Sequence, residues 1–533
     1  IYKEVFIMKT LKRTAFALAA VTALTSLFSL AACGEAQKNR ITLSVWTYYN
    51  NQQDSAFRRI INEFNDTVGK EKAIYVTSSS YSNPTKIAEE VEKNAKKELP
   101  EIFQLYSDDL KKIDDAYQNI ASLDGYFTQA EKDLYVDNFF SEGYINGGLK
   151  LVPTAKSTEL FMMNKTDWDV FAEDYNKSAS EEAKVSLEDL STVEGIAATA
   201  EKYYLWSGGD DGGKAFFGRD AYANFFLTSA RSLGHTIFEK DGEKIGLNTD
   251  RETFKKIYDN FYVPYVKGYF YAKDRFRSDD VKTGDLLAYV GSTSSAGYFP
   301  SSVQESDTVS HAIETYVTPV PVFAGGQKVA IQQGAGFAVK KSDKATEAAA
   351  VEFLKYLSTG GLDLSVSLSY MPVTKADYKA GNAEKMQTAV IEDAWTQYLK
   401  KEEKTEADFT AEKAQEIKDG YRVSKKGILD TYEVAYKTIK EYELWASIPF
   451  AQSSDARKLL EYALAGTISA KDEPELAEMV KNLKNATALA ALVEARVEGG
   501  ELRSEAAADE LSKYGFDDWY AELTSILSNL LKG

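Results

Sequence analysis

The stretch Ile41-Thr-Leu-Ser-Val-Trp46 alternates Ile41, Leu43 and Val45 with Thr42, Ser44 and Trp46, the period-two pattern of a β-strand. After the polar loop Thr47 to Asp54, Phe57, Ile60, Ile61 and Phe64 recur at spacings of three and four, one face of an amphipathic helix. Ala73 to Thr77 reads as a second short strand. Ile87, Val91 and Ala95 mark a second helix, ended by Leu99-Pro100, and Ile102-Phe-Gln-Leu-Tyr106 reads as a third strand. The order β-α-β-α-β predicts an α/β fold with a mainly parallel sheet and helices on both faces. In such sheets ligands gather beyond the carboxyl ends of the strands. Those ends are Trp46 to Tyr49, Ser78 to Asn83 and Tyr106 to Asp108, so Trp46, Tyr48, Tyr49, Tyr81, Tyr106 and Asp108 are candidate ligand contacts. Each loop taken alone reads as solvated surface. Together their rings, hydroxyls and carboxylate suit a sugar, whose C–H faces lie on rings while its rim takes hydrogen bonds.

Upstream of this strand, Lys9, Lys12 and Arg13 precede a largely apolar run from Thr14 to Leu30, and Leu30-Ala-Ala-Cys33-Gly34 follows at once. That order is a signal peptide, and Leu-Ala-Ala-Cys resembles the lipobox of bacterial lipoproteins. The resemblance implies lipid on the Cys33 sulfur, cleavage before it, and a protein held at the outer face of a cell membrane. Each buried methylene would add about 0.8 kcal/mol of anchoring. The run approaches the roughly 20 apolar residues of a membrane span. Its Thr and Ser residues and the polar segment Gly34 to Arg40 argue for a leader, residues 1–33, and a tether, residues 34–40. Residues 1–7 precede a plausible start at Met8 and are left out of the fold.

Composition narrows the function. The 533-residue chain carries 63 basic and 81 acidic side chains, a net charge of −18. The leader holds four basic residues and one acid, so its removal brings the charge to −21. Such a body repels nucleic acid and anionic membrane. With Cys33 consumed by lipid no internal disulfide is expected, and the fold must stand on packing. Only His235 and His311 are present, which excludes multi-histidine zinc sites and leaves little for a histidine-based nucleophile. No cofactor is expected. Tyrosine is abundant at 33 residues.

A family resemblance rests on an ordered set of motifs: the strand ending Trp46-Thr47, Leu99-Pro-Glu-Ile-Phe103, Ser122-Leu-Asp-Gly-Tyr126, Leu151-Val-Pro-Thr-Ala-Lys-Ser-Thr-Glu159 and Phe161-Met-Met-Asn-Lys165. Downstream follow Lys282-Thr-Gly-Asp-Leu-Leu-Ala-Tyr-Val-Gly291, Gln333-Gly-Ala-Gly-Phe-Ala-Val339 and Tyr370-Met-Pro-Val373, with Ser369 where glycine is common. Over residues 41 to about 375 the chain resembles the family 1 extracellular solute-binding proteins, the receptors of ABC importers that include those for maltose. The resemblance implies a two-lobed periplasmic-binding-protein type II fold with several hinge crossings. Lobe 1 is expected from residues 41–154 plus 319–358, and lobe 2 from 155–318 plus 359–533, with an enlarged helical C-terminal part. An ABC permease is the implied partner, and the receptor is expected to be a monomer.

Within the second lobe, Ser191-Thr-Val-Glu194 reads as a capping box opening a helix through Ala197, Ala200 and Tyr203. Trp206 and the glycine-rich loop behind it match neither the P-loop nor the EF-hand spacing, so no metal is expected. Trp206 is a candidate cleft aromatic, with core packing as the alternative. Asp241-Gly242 signals a hairpin, and His235 reads as a turn or surface residue. Gly291-Ser-Thr-Ser-Ser-Ala-Gly297 follows a strand over Leu286 to Val290; its small residues would let a ligand approach the backbone. Ser157, Glu159, Tyr289, Ser292 and Trp445 complete the candidate ligand contacts, and Lys156 keeps an anionic ligand open. Pro474 opens a helix that Gly499-Gly500 stops, and Trp519 reads as a packing anchor.

The leading expectation is a lipid-anchored receptor that closes on a carbohydrate and hands it to a permease. Two alternatives differ in class. A surface glycoside hydrolase needs two carboxylates about 5 to 10 Å apart, which Asp108 and Glu159 would supply. A sensor or adhesin would bind solute without transport.

Overall fold

The computed structural model describes residues 40–532 except 210–211, 242–243, 273–275, 307, 361–364, 366–367, 369, 380 and 466–514. The leader, Cys33, the tether and the helix expected from Pro474 lie outside the described residues.

Strand β1 (Ile41–Thr47) is followed by helix α1 (Asn51–Asp66), strand β2 (Ile74–Ser80), helix α2 (Pro84–Asn94), strand β3 (Ile102–Leu105) and helix α3 (Ser107–Tyr117). Both β2 and β3 run parallel to β1, with Leu43 opposite Val76 and Val45 opposite Ile102. Phe57, Ile61 and Phe64 of α1 are buried, as the three-and-four spacing requires. Asn83 caps α2 by accepting from the Thr85 and Lys86 N–H groups, with Pro84 in the first turn where a missing N–H costs nothing.

The chain then crosses to a second sheet. Strand β4 (Glu159–Asn164) leads into helix α4 (Lys165–Ser178), helix α5 (Val193–Trp206), strand β5 (Phe217–Arg219), helix α6 (Tyr222–Ser232) and helix α7 (Arg251–Ile257). Strands β6 (Ala288–Ser292) and β7 (Thr315–Pro319) both run antiparallel to β4, and β6 runs parallel to β5, giving the order β7-β4-β6-β5. The cap of α5 is one residue later than the sequence predicts. The Thr192 hydroxyl accepts from Gly195 N–H at 3.1 Å, while Glu194 turns away to accept from Ala324 N–H at 2.9 Å. Gly195 fixes this register, because a Cβ there would stand 2.0 Å from the Asp189 carbonyl oxygen. The expected hairpin pairs Phe238–Asp241 with Lys244–Leu247; Gly242 itself lies outside the described residues.

The chain returns through β8 (Val329–Ile331) to β9 (Gly336–Val339), which joins β3 antiparallel and completes the first sheet, β9-β3-β1-β2. Helix α8 (Lys344–Thr359) packs on that sheet and on α1. The C-terminal part adds α9 (Asn382–Lys401), α10 (Ala411–Ser424), α11 (Lys426–Glu441), strand β10 (Glu443–Trp445), α12 (Ser453–Ala465) and α13 (Phe516–Leu530). Helix α11 lies on β7 and β4, α12 on α6, and α13 on α12 and α7. Trp519 anchors α13: its ring stacks 6.1 Å from Phe226, and its Nε1 donates to the Ala463 carbonyl at 2.8 Å.

The lobes are joined by bridges rather than by one linker. Ser157 pairs with Gln333, and β8 with β10. The result is the α/β two-lobed architecture, mixed in each sheet, with its first three strands parallel as read from the sequence.

Candidate functional site

The three parallel strands end on one side of the first lobe, and rings at those ends pair with one another. Trp46 at the end of β1 lies edge-on to Tyr81 after β2, with ring centroids 5.1 Å apart. Tyr48 and Tyr106 stack nearly parallel, 6.3 Å apart with planes 8° from each other. The Tyr48 hydroxyl lies 3.4 Å from that of Tyr370. Tyr106 is 38% exposed and Tyr298, after β6, is 69% exposed, so ring surface faces solvent where the lobes meet. Burial pushes the Tyr48 and Tyr370 hydroxyls above the ordinary tyrosine range, which keeps them neutral.

Asp108, in the first turn of α3, faces Arg457 of α12 at 3.8 Å across the two lobes. Burial pushes the Asp108 carboxyl up and Arg457 pulls it back; burial and the neighbouring Asp108 push Asp109 up to about 6. Behind Arg457 a buried polar chain enters the second lobe. Asn224 Oδ1 accepts from Arg457 Nη2, Asn224 Nδ2 donates to Glu159 Oε1 at 2.9 Å, and Arg219 Nη2 donates to Glu159 Oε2 at 2.7 Å.

Several expected contacts therefore change role. Tyr49 is buried; its ring packs edge-on to Phe57 and its hydroxyl accepts from Gln104 Nε2 at 3.0 Å, because the chain turns back beneath α1. Tyr289 is wholly buried and stacks on Phe299, on the core side of β6. Glu159 is not a free carboxylate, since Arg219 and Asn224 occupy its two oxygens, and it cannot serve as the second acid of a hydrolase pair. Trp206 packs on Phe171 and Tyr203, and its Nε1 donates to Asp174 at 3.0 Å, so it belongs to the α4–α5 contact. Lys156 is buried at the crossing, where it pairs with Glu142 and donates to the Gly334 carbonyl at 2.7 Å; it offers no charge to an anion.

Ser157 is buried and its hydroxyl meets that of Thr293 at 2.7 Å, tying the crossing to the loop after β6. Ser292, opposite Glu159 in the ladder, is partly exposed and bonds Ser294 at 2.8 Å. Trp445 is half-buried in β10 beside Ile331. The structure thus brings Trp46 to Tyr81 and Tyr48 to Tyr106, keeps the buried Tyr49 edge-on to Tyr48 at 5.6 Å, and places Tyr289 and Trp206 in contacts elsewhere. Sequence reasoning missed Arg457, Asn224, Tyr298 and Tyr370 as site residues. An asparagine amid the aromatic face of α6 was a visible oddity, whereas Arg457 sits in a helix of ordinary composition. Among the described residues no group of three or more His, Cys, Asp or Glu could hold a metal ion, and no helix is long and apolar enough to cross a membrane.

Comparison with curated protein sequences finds no match. Among solved structures, the cyclic alpha-maltosyl-1,6-maltose binding protein from Arthrobacter globiformis is similar with a TM-score of 0.57 and 13% identity, over 92% of this chain and 100% of the other. UgpB from Mycobacterium tuberculosis, in complex with glycerophosphocholine, gives 0.54 and 18% over 92% and 98%. An ABC substrate-binding protein from Listeria monocytogenes, in complex with cycloalternan, gives 0.55 and 11% over 89% and 98%. At these identities the likeness is one of fold. The family model described as bacterial extracellular solute-binding protein matches residues 59–375, more than half of the chain. Strand order, crossings and family match agree, and the chain belongs to the bacterial extracellular solute-binding proteins.

Proposed function

We propose that this chain is the lipid-anchored receptor of an ABC importer, which closes its two lobes around a carbohydrate or oligosaccharide and delivers it to the permease without changing it covalently. Lobe 1 is taken as residues 41–154 plus 319–358 and lobe 2 as 155–318 plus 359–533. The single observation that carries the reading is the ring cluster of Tyr48, Tyr106 and Tyr370 at the strand ends, with Asp108 facing Arg457 of the second lobe and a second ring pair, Trp46 and Tyr81, at neighbouring strand ends. Neutral rings cover the apolar faces of a pyranose, and hydroxyls with one carboxylate serve its rim. One fold relative is named for cyclic alpha-maltosyl-1,6-maltose, a second is in complex with cycloalternan, and a third is in complex with glycerophosphocholine. The Leu-Ala-Ala-Cys33 leader supports attachment through lipid on Cys33.

Residues 34–533 are to be screened by thermal shift against linear and cyclic glucosides, glycerophosphodiesters, polyamines and peptides. A solute at 100 times its Kd stabilises a receptor by about 2.7 kcal/mol. A saturable shift with a glucoside that is recovered intact supports the reading. A shift confined to a non-sugar removes carbohydrate, and cleavage of the solute overturns the receptor. Cys33→Ser in the full chain is expected to move the protein from the membrane fraction to the soluble one; retention would overturn the lipid anchor.

A further inference from the structure

Helix α12 lies outside the segment that matches the family model, yet it touches α3 of the first lobe. Two of its residues one turn apart, Ser453 and Arg457, face the Asp108 carboxyl, and the adjacent Lys458 lies near Asp109. One helix face therefore addresses one helix turn across the lobes. The two charges are only partly exposed, 19% for Asp108 and 27% for Arg457, so water screens them less than a surface pair.

Arg457 is held from within its own lobe. Its guanidinium donates to Asn224, whose amide is oriented by its own donation to Glu159, and Glu159 is fixed by Arg219. All of these belong to the second lobe. Asn224 is a neutral acceptor, so within this chain of bonds the Arg457 charge finds a carboxylate of its own only at Asp108. Glu159, one residue further back, is already neutralised by Arg219. Opening the lobes removes Asp108 and leaves the rest of the chain intact.

We propose that Arg457 is a closure residue: it latches the second lobe to Asp108 of the first in the absence of solute and sets how much of the empty receptor is closed. The inference rests on the reading that the lobes open and close, and not on the identity of the solute. An ion pair of this exposure shifts a two-state population by about two- to fivefold. The empty receptor is accordingly more closed at low salt, where the pair is strongest.

Residues 34–533 contain no cysteine, so cysteines placed at exposed Glu89 in lobe 1 and Glu252 in lobe 2 take spectroscopic labels cleanly. Interlobe distances are measured without solute at 50 and 500 mM salt for the parent, Arg457→Gln, Asp108→Asn and the double variant, with circular dichroism to confirm folding. The closed fraction of the parent is expected to fall on raising salt, by less than the two- to fivefold that removing the pair gives. Each single variant and the double variant should lie two- to fivefold below the low-salt parent and lose the salt response, and Arg457→Lys should recover part of it. A closed fraction that ignores both salt and substitution, or single effects that add in the double variant, overturns the latch. Addition of the screened glucosides separates the two readings: solute-driven closure in parent and Arg457→Gln alike, without any salt effect, removes the latch and keeps the receptor. A salt-dependent latch in a protein that no solute closes keeps the latch and removes the receptor.

Discussion

Arg219→Met tests the buried polar chain behind the site. Glu159 and Arg219 are both almost wholly buried, and the guanidinium also lies 4.9 Å over the Phe225 ring. Methionine keeps most of the apolar stem, so the substitution removes the cation and leaves the carboxylate. Breaking a buried pair from one side costs about 3–5 kcal/mol, because the remaining charge has lost its compensation. For a cooperative unit on the order of 300 residues that loss corresponds to a Tm about 5–8 °C lower. The assay is thermal unfolding of residues 34–533, with Glu159→Gln/Arg219→Met as partner. The double variant keeps an acceptor for Asn224, strands no charge, and should recover to within about 1 kcal/mol of the parent. A loss below 1 kcal/mol, or a double variant no more stable than Arg219→Met, would refute the reasoning.

Trp519→Ala should cost about 3–5 kcal/mol in urea unfolding, since the ring fills a pocket among Phe226, Phe254 and Tyr258, and solute affinity of the folded variant should stay unchanged. Tyr106→Ala is expected to weaken glucoside binding at least tenfold by calorimetry, about 1.4 kcal/mol, while Tyr49→Phe alters affinity less than twofold and lowers stability by about 1 kcal/mol through its lost bond to Gln104. Lys156 gives a pH test of the crossing. Burial pushes its ammonium down from the ordinary 10.5 to about 7, so the unfolded chain holds the extra proton between those values. The penalty is therefore complete below pH 7 and is relieved as pH rises toward 10.5, and Lys156→Met should flatten the rise in stability across that window. An unchanged slope in the variant would assign the rise to other groups.

The first lobe was legible because its strands alternate and its helices repeat at three and four over the same hundred residues, so periodicity and order agree. The site was legible only to the resolution of a loop. Tyr48 and Tyr49 follow the same strand end, but beyond Thr47 the alternation stops, and the contact with Phe57 that buries Tyr49 comes from α1 rather than from the strand. Glu159 and Tyr289 failed for a related reason: β4 and β6 are central strands covered on both faces, where a polar residue in the ladder signals a buried partner and not a free group. The capping box failed by one residue because Ser191 and Thr192 are both good caps, and the choice was made by Gly195 against the Asp189 carbonyl, a contact no propensity encodes.

Asp108 stands in both proposals, and this constrains the solute. A cationic solute that takes Asp108 competes with Arg457 and opens the pair it needs closed. An anionic solute competes for Arg457 and strands Asp108 in a site where burial already opposes its charge. A neutral polyol can accept from Arg457 and donate to Asp108 at once, inserting hydroxyls into the 3.8 Å pair without removing either charge. On the proposed reading, Arg457→Gln should then lower affinity for a neutral glucoside at high salt as well as at low salt, because the guanidinium serves the solute even where the latch is screened. If its effect on affinity instead vanishes at 500 mM salt, Arg457 acts on closure alone and the hydroxyl bridge is refuted.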